Sequence, residues 1–295
     1  MKYIDLHSDT LTAAFDGGYS PLDCPLQASF NKLNKSGCAA QCLAVFTEGE
    51  GAALNFEKYL SFYKSLQVKK ITKSPQLKGD FGVILTIENL GFIGGDLSYI
   101  SKLKRAGVKM ASLVWNSENE LAYPNVTSSG REKRGLKPLG KAAVEFLDKN
   151  KIIIDISHLS DGGAEEILTG RKIPAVASHS DCAEVCNVPR NLTNPLIKKI
   201  ADCGGVVGVN FHKKFLGEGK TFDLIEMHIK HLIKVGGEDI IALGSDFDGI
   251  PAPPDLEDCT KVPVLLERLN KTLGCRVCEK LRYKNFERVF NEVCR

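Results

Sequence analysis

Short runs of apolar, often β-branched residues alternate along the chain with segments whose apolar positions recur at spacings of three, four and seven. The runs are Tyr3–His7, Ala40–Phe46, Val83–Glu88, Met110–Trp115, Ile152–Ser157, Ala175–Ser178, Val206–Phe211 and Ile240–Gly244. Most are nearly continuous in apolar character, as strands buried on both faces are. Helical spacing marks Leu97–Arg105, Leu139–Lys149, Leu196–Asp202, Leu224–Val235 and Val264–Leu273. Several helices are expected to stop at a glycine, at Gly107, Gly204 and Gly236. Eight strands alternating with helices predict parallel βαβ units. A closed (β/α)8 TIM-type barrel is the natural solution, with a doubly wound open sheet as the rival. No repeat, low-complexity tract or linker divides residues 1–295, so they read as one barrel domain. Residues 262–295 are expected to pack as one or two closing helices.

Composition narrows the class without naming the chemistry. A hydrophobic fraction of 43% can bury a large core. The balance of 39 basic against 36 acidic residues gives no case for nucleic-acid binding. No stretch approaches the roughly 20 apolar residues of a membrane span. The first residues enter a strand pattern at once, without the charged and apolar regions of a secretory signal. A soluble, cytoplasmic protein with reduced thiols is therefore expected, despite ten cysteines. Cys275-x-x-Cys278 has no second pair or histidine to complete a metal site, so it reads as structural.

The ionisable residues change the picture. His7 ends the first run and Asp9 follows it; Glu88 ends the third. His158 follows the fifth, His179 the sixth and Asp246 the eighth. In a barrel all these strand ends face one rim, where active sites are built. Imidazole and carboxylate together suit a divalent transition metal, zinc first. Two metals sharing a bridging carboxylate, for which Glu88 is the candidate, would use nearly all of these groups. Each residue also has a bland reading. Asp9 could cap a helix, Glu88 could be a buried ion-pair partner, and His158 could orient the turn before Ser160. Convergence of all of them on one rim favours the metal.

These motifs, in order along nearly the whole chain, resemble the membrane dipeptidase (renal dipeptidase) family of zinc peptidases, in a bacterial-type form. The residues that carry the likeness are Asp5-Leu-His-Ser-Asp-Thr10, Ile84-Leu-Thr-Ile-Glu88 with Gly94-Gly-Asp-Leu97, and Gly135–Gly140. Asp155-Ile-Ser-His-Leu-Ser160, Ala177-Ser-His-Ser180, Pro189-Arg-Asn191, Gly204–Phe211 and Gly244-Ser-Asp-Phe-Asp-Gly249 complete the set. The resemblance implies a dipeptide substrate and two zinc ions per chain. His7 and Asp9 would hold one zinc, His158 and His179 the other, with Glu88 bridging. It also implies a metal-bridging hydroxide as nucleophile, Asp246 as the proton carrier, and Arg190 as partner of the substrate's C-terminal carboxylate. Homodimers are the usual assembly of such proteins. Two departures stand out. Trp115 occupies the place at the end of strand four where animal relatives carry a histidine, which makes it a candidate pocket residue. Asn89-Leu90 follows Glu88 where glycine is usual. Two rival readings remain open: hydrolysis of another small amide, and a catalytically weak metal- or dipeptide-binding protein.

Overall fold

The computed structural model describes residues 1–77, 79–127 and 130–294. Eight parallel strands close into a barrel in sequence order: β1 (Tyr3–Ser8), β2 (Cys38–Phe46), β3 (Gly82–Glu88), β4 (Met110–Ser112), β5 (Ile153–Asp155), β6 (Ala175–Ala177), β7 (Val206–Val209) and β8 (Ile241–Leu243). Strand β1 pairs with both β2 and β8, so no edge remains. The open-sheet rival is excluded.

The two-residue period of each strand sorts its side chains into two cores. On β3, Val83, Leu85 and Ile87 face the surrounding helices, while Ile84 faces the barrel axis. The axial core takes Ile4 and Leu6 from β1, Ala40 and Cys42 from β2, then Met110, Ile153, Val176, Val206 and Ala242. Phe286, Val289, Phe290 and Val293 of the helix Asn285–Val293 join that core. This helix follows Cys275–Glu279 and a π-helical turn, Lys280–Lys284. The helix Val262–Leu273 precedes them, so this stretch holds more segments than the one or two helices expected.

Five strands end earlier than their apolar runs do. Beyond Asp155 and Leu243, side chains take over the main-chain donors that a ladder would use. Asp155 accepts from the Ser157 and Ser178 N–H groups at 2.9 Å, and Asp5 accepts from the Ser245 N–H at 2.8 Å. The chain can then turn inward at the rim without orphaned donors. Gly208 and Gly244 allow the close approach this needs. A Cβ at either would stand 2.0 or 1.8 Å from the Ser178 carbonyl oxygen, just before His179. The glycine stops hold at Gly107 and Gly204, both in the left-handed region. The helix Thr221–Gly236 runs one residue further than expected and is capped by Gly237.

Candidate active site

Five rim positions named from the sequence, His7, Asp9, His158, His179 and Asp246, gather around a sixth, Glu88. The β2–β3 register sets Phe46 beside Glu88 at the rim. The β1–β2 register shifts between Asp5 and Ser8, an irregularity of the kind that re-aims a side chain, and His7 lies within it. His158 and Asp246 both adopt left-handed backbone, with φ of 67° and 65°. Non-glycine residues held there are costly and gather where a site requires them.

Glu88 is 4% exposed, and its two oxygens face different partners. Oε1 lies 3.0 Å from His158 Nε2 and 3.4 Å from His179 Nε2. Oε2 lies 3.6 Å from His7 Nε2. That same nitrogen is 3.6 Å from Asp9 Oδ2 and 3.7 Å from Asp246 Oδ1. It is buried and has no hydrogen-bond partner among the described residues. Ligand atoms of His7, Glu88 and His179 all lie within 4.8 Å of one another, as do those of His7, Asp9 and Asp246.

Proton counting shows what these atoms can accept. The Ser178 hydroxyl donates to Asp155, so it must accept from His179 Nδ1–H at 2.7 Å. His179 Nε2 then presents a lone pair. Asn116 Oδ1 accepts from His158 Nδ1 at 3.0 Å, which leaves His158 Nε2 a lone pair as well. The two Nε2 atoms are 3.0 Å apart and both face Glu88 Oε1. Three acceptors so placed repel one another unless a cation sits among them. Nitrogen and carboxylate donors with hydrogen-bonded supporting groups fit zinc or a similar divalent metal.

The electrostatics run the same way. Burial works to raise the Glu88 carboxyl, but His7, His158 and His179 outweigh it and hold it well below the usual range. Burial works to lower His7, but Glu88 and Asp9 hold it well above its ordinary value. Burial, then the Arg190 charge, depresses His158 to about 4. Burial first, then His7 and Arg190, depresses His179 well below its ordinary value. Burial, aided by Asp9 and Glu88 and opposed by His7, lifts Asp246 to about 7.

The other named residues divide. Trp115 is half-buried, packs edge-on against Phe46 at 4.7 Å, and lies 6.1 Å from the His158 ring. It lines a cavity of about 270 Å³ with Phe46, Asn116, Phe215, Ile250 and the carboxylates. Arg190 is not among the residues lining that cavity. It is 3% exposed, and its terminal nitrogens donate to Ser180 Oγ and the His179 carbonyl, each at 2.8 Å. Asp9 precedes the helix Thr10–Asp16, but its side chain makes no capping bond, so the capping reading fails. Asp248 binds Thr10 Oγ1 and the Gln27 and Ala28 N–H groups, which is structural work.

Two site residues, Asn116 and Asn210, were missed from the sequence, and a third, Asn89, was noted only as a departure from the family pattern. Asn116 orients His158, and Asn210 Nδ2 holds Asp246 Oδ2 at 2.9 Å. Asn89, φ 75°, ties the turn after Glu88 to the Thr47 carbonyl, Gly91 N–H and Asn119. Asn210 was within reach, since it lies just past β7 at the rim.

Comparisons with known proteins agree with this fold. The family model described as membrane dipeptidase, peptidase family M19, matches residues 1–295. A protein from the pqqA 5′ region of Klebsiella pneumoniae is 33% identical over 224 residues, covering 72% of this chain and 82% of that protein. An uncharacterized dipeptidase of Schizosaccharomyces pombe is 31% identical over 253 residues, 84% of this chain but only 61% of that longer protein. Dipeptidase AC, a metallopeptidase of family M19, superposes with a TM-score of 0.90 at 22% identity, covering 99% of this chain and 98% of its own. A Rhodobacter sphaeroides metallopeptidase, solved with a phosphinate mimic of L-Ala-D-Ala, gives 0.85 at 21% identity over 99% of both chains. The chain belongs to the membrane dipeptidase family, peptidase family M19, a family of metal-dependent dipeptidases.

Proposed function

We propose that this chain hydrolyses dipeptides with two zinc ions, one held by His7, Asp9 and Glu88 and the other by Glu88, His158 and His179. The observation that carries the reading is the meeting of two unprotonated Nε2 atoms with Glu88 Oε1, while Glu88 Oε2 turns to the orphaned His7 Nε2. Bound zinc would supply a water of lowered pKa and a Lewis acid for the scissile carbonyl.

The chain's own residues do the rest. Asp246 Oδ2 is anchored by Asn210, and Oδ1 faces His7. So held, its carboxyl can take a proton from the attacking water and return it to the leaving amine. Arg190 supplies positive charge for the substrate's C-terminal carboxylate. Its guanidinium does not line the cavity but lies 5.6 Å from the ring of Phe215, which does. Phe46 and Trp115 form an apolar wall for a small side chain, and Phe215 and Ile250 another. No helix among the described residues is long and apolar enough to cross a membrane.

Elemental analysis with an amine-release assay on L–L and L–D dipeptides tests the reading. Two zinc per chain, and cleavage lost to a chelator and restored by zinc, are expected. A phosphinate dipeptide mimic, the ligand type of the Rhodobacter relative, should inhibit. Full activity in a zinc-free sample would sink the proposal, and cleavage of other small amides alone would redirect it.

A further inference from the structure

Arg131 carries no part of the chemistry proposed above, yet its guanidinium is committed to one short turn. Nη2 donates to the Val188 carbonyl at 2.9 Å and the Asn191 carbonyl at 2.7 Å. Nη1 donates to the Pro189 carbonyl at 3.4 Å and to Asp161 at 3.1 and 3.3 Å. The three carbonyls flank Arg190 on both sides. Asp161 opens the helix Asp161–Leu168 and holds the guanidinium from behind. Both side chains are largely shielded, at 18% and 22% exposure, so these bonds are less screened than a surface pair's.

The neighbouring chain segment is fastened separately to the other half of the site. The Asn125 N–H donates to the His158 carbonyl at 2.7 Å, and the Ser160 N–H donates to the Tyr123 carbonyl at 3.0 Å. Arg131 pairs with Val126 in an antiparallel ladder, which fixes its backbone relative to those contacts. One loop thus grips the His158 turn through main-chain bonds and the Arg190 turn through a single side chain.

A planar fork with five donors can span three carbonyls and a carboxylate at once; an ammonium cannot. We propose that Arg131 is a positioning residue for substrate recognition: it fixes the 188–191 turn and so sets the Arg190 guanidinium for the dipeptide's carboxylate. The inference rests on the reading of Arg190 given above. It predicts a binding defect confined to ligands that carry that carboxylate, with zinc and turnover intact.

The test uses the full-length, zinc-loaded enzyme. Arg131→Lys, Asp161→Asn and Arg190→Met are compared with the parent for zinc content and for kcat and KM on L-Ala-L-Ala. The C-terminal amide of the same dipeptide serves as a competing ligand without the charge. Arg131→Lys should raise KM about tenfold or more, leave kcat within threefold, keep zinc unchanged and leave the inhibition constant of the amide unchanged. Asp161→Asn, which keeps the carbonyl contacts, should show the same pattern at a few-fold and serves if the lysine variant does not fold. Arg190→Met examines the underlying reading. If it raises KM for the dipeptide and not the amide constant, while both looser variants keep the parental KM, Arg131 does not position and the inference falls alone. If Arg190→Met leaves KM unchanged, the carboxylate reading fails and the inference with it. Equal losses of zinc, kcat and amide binding in Arg131→Lys would mark a merely structural role and overturn it.

Discussion

His7 and His228 are equally inaccessible, at 2% and 0% exposure, and they have opposite hydrogen-bond accounts. His228, on the helix Thr221–Gly236, accepts the Cys182 N–H at Nδ1 and donates from Nε2 to the Leu216 carbonyl, both at 3.1 Å. Nothing is left over for a ligand. His7 keeps Nε2 unpartnered among three carboxylates that stand 3.6–3.7 Å away, beyond good hydrogen-bond range. A buried polar atom left without a partner costs free energy, and a fold retains it only when something else fills the need. A buried histidine is therefore informative by what its ring nitrogens lack. His158 and His179 belong with His7, each having one nitrogen fixed and the other aimed at Glu88.

The sharpest break is at the shared carboxylate. Glu88→Gln keeps the shape and removes the charge that faces all three rim imidazoles. We expect kcat/KM to fall by at least about a thousandfold, roughly 4 kcal/mol, with loss of bound zinc. A variant that keeps zinc and turnover would erase the distinction between the two kinds of histidine. Asp246→Asn separates proton transfer from metal binding. It should cost about 10²–10⁴ in kcat while zinc content stays near the parental value, read by elemental analysis beside the kinetics. If zinc is lost instead, Asp246 is a ligand grouped with His7 and Asp9.

Asn116→Ala is a smaller test of the same idea. Without the acceptor at Nδ1, His158 is free to rotate and change tautomer. Loss of such a supporting bond typically weakens metal affinity about 10–100-fold, measurable by competition with a chromophoric chelator. An unchanged affinity would show that His158 is oriented by packing alone.

How far the sequence carried depends on whether a feature leaves a mark on residue type. The barrel strands were legible because burial on both faces demands unbroken apolar runs. His7, Glu88, His158, His179 and Asp246 were legible because charge and imidazole are conspicuous at the ends of such runs. The helix Phe30–Lys35 was not, and Thr10–Asp16 and Asp161–Leu168 were legible only at their starts. They are short, and the last holds Gly162 and Gly163, which blunt any helical signal. Ala52–Ser65 was overlooked although it is long and amphipathic. Asn116 and Asn210 act through one amide each, in loops where asparagine is commonplace. Arg131 answers main-chain carbonyls 57 to 60 residues away, and a carbonyl has no sequence signature. Arg190 shows the limit from the other side: its motif was plain, but not that its terminal nitrogens are bound to Ser180 and the His179 main chain.

His228 supplies the counterpart, where catalysis should hardly move and stability should. Burial is the main force that depresses its imidazole, with the nearby His231 adding to it and the Leu216 carbonyl opposing, to about 4 against an ordinary 6.5. A depressed histidine binds its proton more readily in the unfolded chain. The stability it contributes is thus complete above about pH 6.5 and is lost as pH falls toward 4. Between pH 7 and pH 5 the loss amounts to about 2 kcal/mol. His228→Gln offers an amide oxygen to the Cys182 N–H and an amide donor to the Leu216 carbonyl, and it does not titrate. Urea melts at pH 7 and pH 5 should show the parent losing about 2 kcal/mol more than the variant, while kcat/KM at pH 7 stays within threefold. Equal acid sensitivity in the two proteins would mean that His228 is not the group responsible. A collapse of turnover in the variant would mean that the boundary between structural and metal-facing histidines had been drawn in the wrong place.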